Sequence, residues 1–153
     1  MDVKKTTQQV RESSFGWMIK RLAARLDDEM NANLAPLGLD LASFAIMMTV
    51  LERSPLSQAA IGERLQMAPY KVSRSLDTLE ALRYLARHPD PASRRAHVIR
   101  PTDLGQRIAP QLYAVVSGVN GKLAGPLSEE ERRDLAGLLT RMVVAQDAWT
   151  AAE

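Results

Sequence analysis

The stretch that decides the fold is residues 56–87, LSQAAIGERLQMAPYKVSRSLDTLEALRYLAR. Its first half predicts a short helix over 58–65, because Ser57 is a good N-cap. Its second half predicts a helix that runs to about residue 82 and is opened by Pro69, a residue that suits the first helical position. Two short helices joined by a tight turn are typical of a helix-turn-helix.

The second of these helices has one apolar side and one polar side. At about 100° per residue, Val72, Leu76 and Leu79 share the inward side. The outward side carries groups that DNA recognition uses, since arginine can pair with guanine and the hydroxyl, phenol and ammonium groups suit phosphate oxygens. The DNA-contacting residues predicted for this region are Ser57, Tyr70, Lys71, Ser73, Arg74, Ser75 and Thr78. An ordinary amphipathic surface helix is the competing interpretation.

Two short extended segments, 84–88 and 95–100, follow and predict a β-hairpin with a basic tip. Arg94 and Arg95 sit at or just after that tip, and an arginine on a thin ribbon can enter a minor groove. Residues 64–100 carry eight basic and three acidic side chains, whereas the whole chain has a net charge of only +2. Such a local basic zone is the expected footprint of a nucleic-acid face, although a solvated basic turn has the same composition.

Helical patterns also precede this region. Residues 1–12 show no apolar periodicity and predict a loose arm. A helix of roughly twenty residues starts at Phe15 and ends near Pro36. Asp40 predicts the cap of a second, buried helix.

The C-terminal third is also predicted to be helical. Thr102 predicts the cap of a helix over 103–123, in which Pro110 predicts a kink or a short break. Ser128 and Glu131 predict the capping box of the last helix. The fold class is therefore mainly α with a small β-hairpin wing, in a single domain over 1–153.

Several functional classes are excluded by composition or by missing motifs. The chain has no cysteine, which rules out a disulfide scaffold and thiolate chemistry. No phosphate-binding, dinucleotide-binding or hydrolase motif is present, so neither an enzyme nor a cofactor is expected. His88 and His97 lie on opposite arms of the predicted wing without a carboxylate cluster, so no metal is expected. A polar N-terminus and the lack of a long apolar run predict a cytoplasmic protein without a membrane partner.

The order of these motifs resembles the MarR family of bacterial regulators. The similarity is carried by Ser57-Gln58, by Val72-Ser73-Arg74, by Leu79-Glu80 and by the wing sequence DPASRRAHVIRPTDLG (90–105). The chain departs from the family pattern at four positions, namely Ala68 at the N-cap, Arg83 in place of glycine, Ser93 in place of aspartate and Pro101 in place of leucine.

The resemblance implies a homodimer that binds a pseudo-palindromic operator in double-stranded DNA. Residues 13–35 and 103–150 would form the dimerisation helices, and residues 40–101 the winged helix-turn-helix lobe. The surplus apolar surface of the first and last helices supports a paired bundle, although intrachain packing is the alternative.

The resemblance also implies a repressor that a small aromatic or phenolic acid releases from DNA. The pocket residues would be Trp17, Met18, Arg21, Phe44, Met47, Met48 and Tyr113. Aromatic and methionine side chains form adaptable apolar pockets, and an arginine can pair with a carboxylate. Core packing explains any one of these residues equally well. A winged-helix DNA binder without an effector and a winged-helix protein-interaction module are the remaining alternatives.

Overall fold

The structure is a computed structural model that describes the backbone of residues 2–150 and the side chains of residues 2–93 and 96–146. The elements in chain order are α1 (Val3–Ser13), α2 (Phe15–Leu34), a 3₁₀ turn (Ala35–Leu37), α3 (Leu41–Arg53), β1 (Leu56–Ser57), α4 (Gln58–Leu65), α5 (Pro69–Ala81), β2 (Leu85–Asp90), β3 (Ser93–Pro101), α6 (Asp103–Leu123) and α7 (Glu129–Thr150). They form two compact units, Met1–Val116 and Ser117–Glu153. The predicted fold class, mainly helical with a small β wing, is confirmed.

The N-terminal segment is helical, so the prediction of a loose arm was wrong. The Asp2 carboxylate caps α1 and accepts hydrogen bonds from the backbone N–H groups of Lys4 and Lys5 at 3.1 and 3.5 Å. The Gln8 amide donates to Glu12 one turn later at 2.8 Å. No residue of α1 is buried. Local capping and side-chain pairing hold this helix, which is why apolar periodicity failed to indicate it.

The core of the first unit lies where α3 packs against α4, α5 and β3. Asp40 starts α3 with a capping box, since its carboxylate accepts from the Ser43 N–H at 2.8 Å and its own N–H donates to the Ser43 hydroxyl at 3.0 Å. The predicted cap at Asp40 is therefore confirmed. The largest apolar side chains with essentially no exposure are Leu34, Ile46, Met47, Ile61, Leu76, Leu79, Leu85, Ile99 and Leu112.

The wing belongs to a three-stranded antiparallel sheet in the order β1-β3-β2. The two-residue strand β1 was not predicted, because it exists only through pairing with β3 about forty residues away. The hairpin arms are longer than predicted, and the turn between them is Pro91-Ala92. His88 pairs with Val98, and Pro89 with His97, so the two histidines lie on opposite faces of the sheet. Among the described residues, no group of three or more His, Cys, Asp or Glu is placed to hold a metal ion.

The connection from α5 through the wing to α6 is held by backbone contacts around Tyr84. Arg83 adopts a left-handed backbone conformation with φ of 59°. The MarR family, which the sequence resembles, has glycine at this position. The Thr102 hydroxyl donates to the Arg83 carbonyl at 2.6 Å and accepts from the Gly105 N–H at 3.0 Å, which confirms Thr102 as the cap of α6. The helix continues through Pro110, so there is no break at this residue, and the alternative that was predicted, a kink, stays a prediction.

The second unit contains the end of α6 and all of α7. Ser128 and Glu131 form the predicted capping box, in which each side chain accepts from the other residue's backbone N–H. No single described helix is long and apolar enough to cross a bilayer, although Phe15–Leu37 and Leu41–Arg53 meet that length and composition together across a bend of 74°.

Candidate nucleic-acid interface

The helix α5 presents a polar face opposite a buried aliphatic seam. Val72, Leu76 and Leu79 are fully buried, while the Tyr70 side chain is 68% exposed. The remaining exposed residues of the outward face include Lys71, Arg74 and Thr78. The predicted inward and outward sides of this helix are confirmed. A guanidinium, an ammonium, a phenol and a hydroxyl are therefore available to a ligand along one helix face.

Three predicted serine contacts have different surroundings. Ser75 is buried beside the aliphatic seam, so the expectation that its hydroxyl reaches a phosphate is wrong for this structure. Ser73 is half-buried. Ser57 is also half-buried, and its hydroxyl accepts from the Ala60 N–H at 3.1 Å as the N-cap of α4. The predicted capping role of Ser57 is confirmed.

Arg74, on the polar face of α5, lies within electrostatic range of Asp40 at the N-terminus of α3. Hydrogen bonds from the Ser43 hydroxyl and N–H lower the pKa of Asp40 below its ordinary value of 3.8, and the Arg74 guanidinium adds a smaller effect in the same direction. Asp40 is therefore ionised at neutral pH, and its attraction to the exposed Arg74 guanidinium is weak compared with its hydrogen bonds to Ser43.

The wing is tied to α5 by Arg87, a residue that the sequence reasoning missed. Its guanidinium forms ion pairs with Asp77, at 2.9 Å, and with Glu80. The available signal was an acidic pair on the helix followed by an arginine in the next strand. The backbone of Arg94 and Arg95 lies in β3 just after the turn, and their side chains are outside the part of the chain that the structure describes.

Two of the predicted effector residues, Arg21 and Trp17, are in contact with each other. The Arg21 guanidinium stacks on the Trp17 ring with 5.2 Å between its central carbon and the ring centroid, and Arg11 lies on the same ring at 5.7 Å. Trp17 is 36% exposed and Tyr113 is 52% exposed. Met18, Phe44 and Met48 are half-buried. Met47 has no exposed surface, so it is a core residue in this structure and cannot touch a ligand directly.

Two adjoining helices, a polar recognition face and a three-stranded wing define a winged helix-turn-helix protein. A family profile described as the MarR family matches residues 37–96. The HTH-type transcriptional repressor Rv2887 of Mycobacterium tuberculosis is 27% identical over 132 residues, which cover 86% of this chain and 94% of that protein.

Solved structures have the same fold. The reduced form of MarR from E. coli has a TM-score of 0.78 at 22% identity, covering 84% of this chain and 96% of that one. The Mycobacterium tuberculosis MarR family protein Rv2887, solved in complex with DNA, has a TM-score of 0.75 at 24% identity and covers 85% of this chain and 98% of its own. The chain is therefore similar to the MarR family over residues 37–96 and has the winged-helix fold of the solved MarR proteins.

Proposed function

We propose that this MarR-type regulator is a homodimeric repressor that a small aromatic acid releases from its operator. One observation carries the proposal: α5 buries an aliphatic seam and exposes Tyr70, Lys71, Arg74 and Thr78 on its opposite side, next to a wing. The solved complex of Rv2887 with DNA supports a DNA partner for this fold.

On this proposal α5 enters the major groove. Arg74 hydrogen-bonds to a guanine edge, a contact that contributes about 1–3 kcal/mol of base discrimination. Lys71, Tyr70 and Ser73 contact phosphates and set the position of the helix, with Thr78 further along the same face. Ser57 contacts the backbone near the start of α4. Arg94 and Arg95 enter the adjacent minor groove from the wing.

Two copies bind one pseudo-palindromic site. Residues 13–35 and 103–150 pair with their symmetry mates, and each lobe over 40–101 reads one half-site. The half-sites are then about one helical turn apart, or a multiple of that spacing, because the two recognition helices follow the same groove.

The effector is proposed to bind beside Trp17. The exposed indole offers a stacking surface, and Arg21 already lies on that ring, where its guanidinium can pair with a carboxylate. On this proposal, further apolar surface comes from Met18, Phe44, Met48 and Tyr113, while Met47 stays in the core. Binding would favour a dimer geometry whose helix spacing misfits DNA.

Fluorescence anisotropy tests the DNA assignment. A labelled duplex from the region upstream of the chain's own gene is compared with a scrambled duplex at two salt concentrations. We expect selective binding that falls steeply with salt. Arg74→Ala should weaken the selective complex at least tenfold, while Arg53→Ala, the same change at an exposed position at the end of α3, should leave it unchanged. Absence of binding to either duplex at low salt would overturn the proposal and favour a protein-interaction module.

A thermal shift experiment tests the effector assignment. Benzoate should raise the melting temperature and weaken operator binding, whereas cyclohexanecarboxylate, which has the charge without the aromatic ring, should do less. Arg21→Met should remove the benzoate response but keep DNA binding. If wild-type protein shows no response to benzoate up to millimolar concentration, the effector proposal loses its support and a constitutive DNA binder remains.

A further inference from the structure

A single arginine joins the wing to α5 through both its main chain and its side chain. Arg87 is the third residue of β2. Its backbone N–H donates to Glu80 at 3.1 Å, and one guanidinium nitrogen donates to the same carboxylate. The other terminal nitrogen donates to Asp77 at 2.9 Å. Both carboxylates belong to α5, so the strand is anchored to the helix proposed to enter the major groove.

We infer that Arg87 is a positioning residue for DNA recognition, which holds the wing at the distance from α5 that lets both elements reach DNA together. The inference rests on the proposed function, in which α5 and the wing occupy adjacent grooves. The segment between α5 and β2 turns through the left-handed Arg83, and strand residues beyond Arg87 such as His88 and Pro89 are exposed. Among the described side chains of the wing, Arg87 alone forms an ion pair with α5.

The ion pairs of Arg87 should be stronger than an ordinary surface ion pair. The side chains of Arg87 and Glu80 are 27% and 32% exposed, so solvent screens their interaction only in part. The planar guanidinium of Arg87 donates to two carboxylates through different nitrogens, a geometry that a lysine ammonium cannot reproduce. It also neutralises Asp77, whose side chain is 66% exposed at the edge of the recognition face and would otherwise repel phosphate.

Removing the charge of Glu80 distinguishes positioning by Arg87 from a general electrostatic effect, because the two predict opposite changes in DNA affinity. General electrostatics predicts that Glu80→Gln tightens DNA binding, since an anion is lost from a DNA-facing lobe. The carboxylate accepts from the Arg87 N–H with one oxygen and from the guanidinium with the other. An amide has only one accepting oxygen, so one of these bonds is lost in the variant. If Arg87 positions the wing, Glu80→Gln should therefore bind DNA more weakly.

The first measurement compares operator affinity of Glu80→Gln with that of Glu63→Gln. The control is the same substitution at an exposed glutamate on α4. We expect Glu80→Gln to bind about tenfold more weakly, because the wing is correctly placed in a smaller fraction of the free protein, while Glu63→Gln binds equally well or more tightly. A Glu80→Gln protein that is folded by circular dichroism and binds as tightly as the wild type would overturn the inference.

The second measurement is a double-mutant cycle between Arg87 and the two arginines of the wing. The loss of affinity caused by Arg94→Ala with Arg95→Ala is measured in the wild type and in Arg87→Met, a variant that keeps the apolar stem. We expect the wing arginines to matter several-fold less in the Arg87→Met protein, because its wing is no longer held against α5. The dependence of DNA affinity on salt concentration should become weaker in Arg87→Met by about as much as in the variant that carries Arg94→Ala and Arg95→Ala.

Equal losses in the two backgrounds, in a wild type that prefers its operator, would overturn the inference and leave the proposed function standing. A wild type that binds operator and scrambled DNA equally would instead overturn the proposed function, and the inference with it.

Discussion

The fold leaves no room for a side chain at Gly105. A Cβ at this position would lie 2.0 Å from the Tyr84 carbonyl oxygen and 3.1 Å from the Met47 terminal methyl carbon. The methionine can move, but the carbonyl belongs to the backbone that accepts hydrogen bonds from Thr102. We expect Gly105→Ala to lower the free energy of unfolding by about 3 kcal/mol, measured by urea denaturation.

Gly118→Ala is the matched control for that substitution. Apart from its chain neighbours and the backbone of its own helix, no described atom lies within 4 Å of the added methyl group, and the position is exposed within α6. Alanine is favoured over glycine in helices by up to about 1 kcal/mol, so this variant should be slightly more stable than the wild type. If both variants unfold at the wild-type urea concentration, the close approach of α6 to Tyr84 is not required.

Single residues also show where sequence reasoning about the site succeeded and where it failed. The exposure of Tyr70 and Arg74 followed from helical spacing alone, because spacing fixes the face on which a side chain lies. Ser75 was misassigned because its polarity was given more weight than its position, which lies only about 40° around the helix from Leu79 of the buried seam. Arg87 was missed because its partners depend on how the strand folds back, which no local pattern encodes.

At the scale of elements, the capping box at the start of α3 links stability to pH. The pKa of Asp40 is lowered in the folded protein by its hydrogen bonds to Ser43, so the cap stabilises the fold above the unfolded-state value of 3.8. That contribution is lost as the pH falls through and below this value. We expect Asp40→Ala to cost about 1 kcal/mol at pH 7 and clearly less at pH 3, measured by urea unfolding at both pH values.

Asp28→Ala serves as the control, because Asp28 is an exposed carboxylate inside α2 without a capping position. Its effect on the free energy of unfolding should be small at pH 7. A cost of Asp40→Ala that stays the same from pH 7 to pH 3 would mean that the ionised carboxylate is not what stabilises α3.

Elements with an apolar periodicity were predictable, and those without one were not. The helices α2, α5 and α7 follow from spacing and caps, and the start of α3 follows from Asp40. In contrast, α1 buries nothing and is held by its own polar contacts. The short strand β1 depends on a partner distant in sequence, and the irregular pairing near Pro89 and Asp90 depends on three-dimensional register. Long-range pairing was therefore the information that the sequence reasoning lacked.

At the scale of the whole molecule, α7 carries an apolar stripe that remains exposed within one chain. Its members are Leu135, Leu138, Leu139, Met142 and Val143, which are between 40% and 58% exposed. A contiguous exposed stripe of this kind marks an interaction surface. The proposed homodimer would cover this stripe if α7 pairs with its symmetry mate in a self-complementary interface.

We therefore expect the wild type to have twice the 16.9 kDa mass of one chain by light scattering coupled to size exclusion. Leu138→Asp places a charge in the stripe and should yield a monomer, because an unpaired carboxylate is costly to bury in an apolar interface. Thr140→Asp adds the same charge about 200° around the helix from Leu138, outside the stripe, and should leave the mass unchanged. Since a dimer holds its second lobe near the second half-site, Leu138→Asp should also weaken operator binding about a hundredfold. A monomeric wild type, or dimers that survive Leu138→Asp but not Thr140→Asp, would contradict pairing through this stripe.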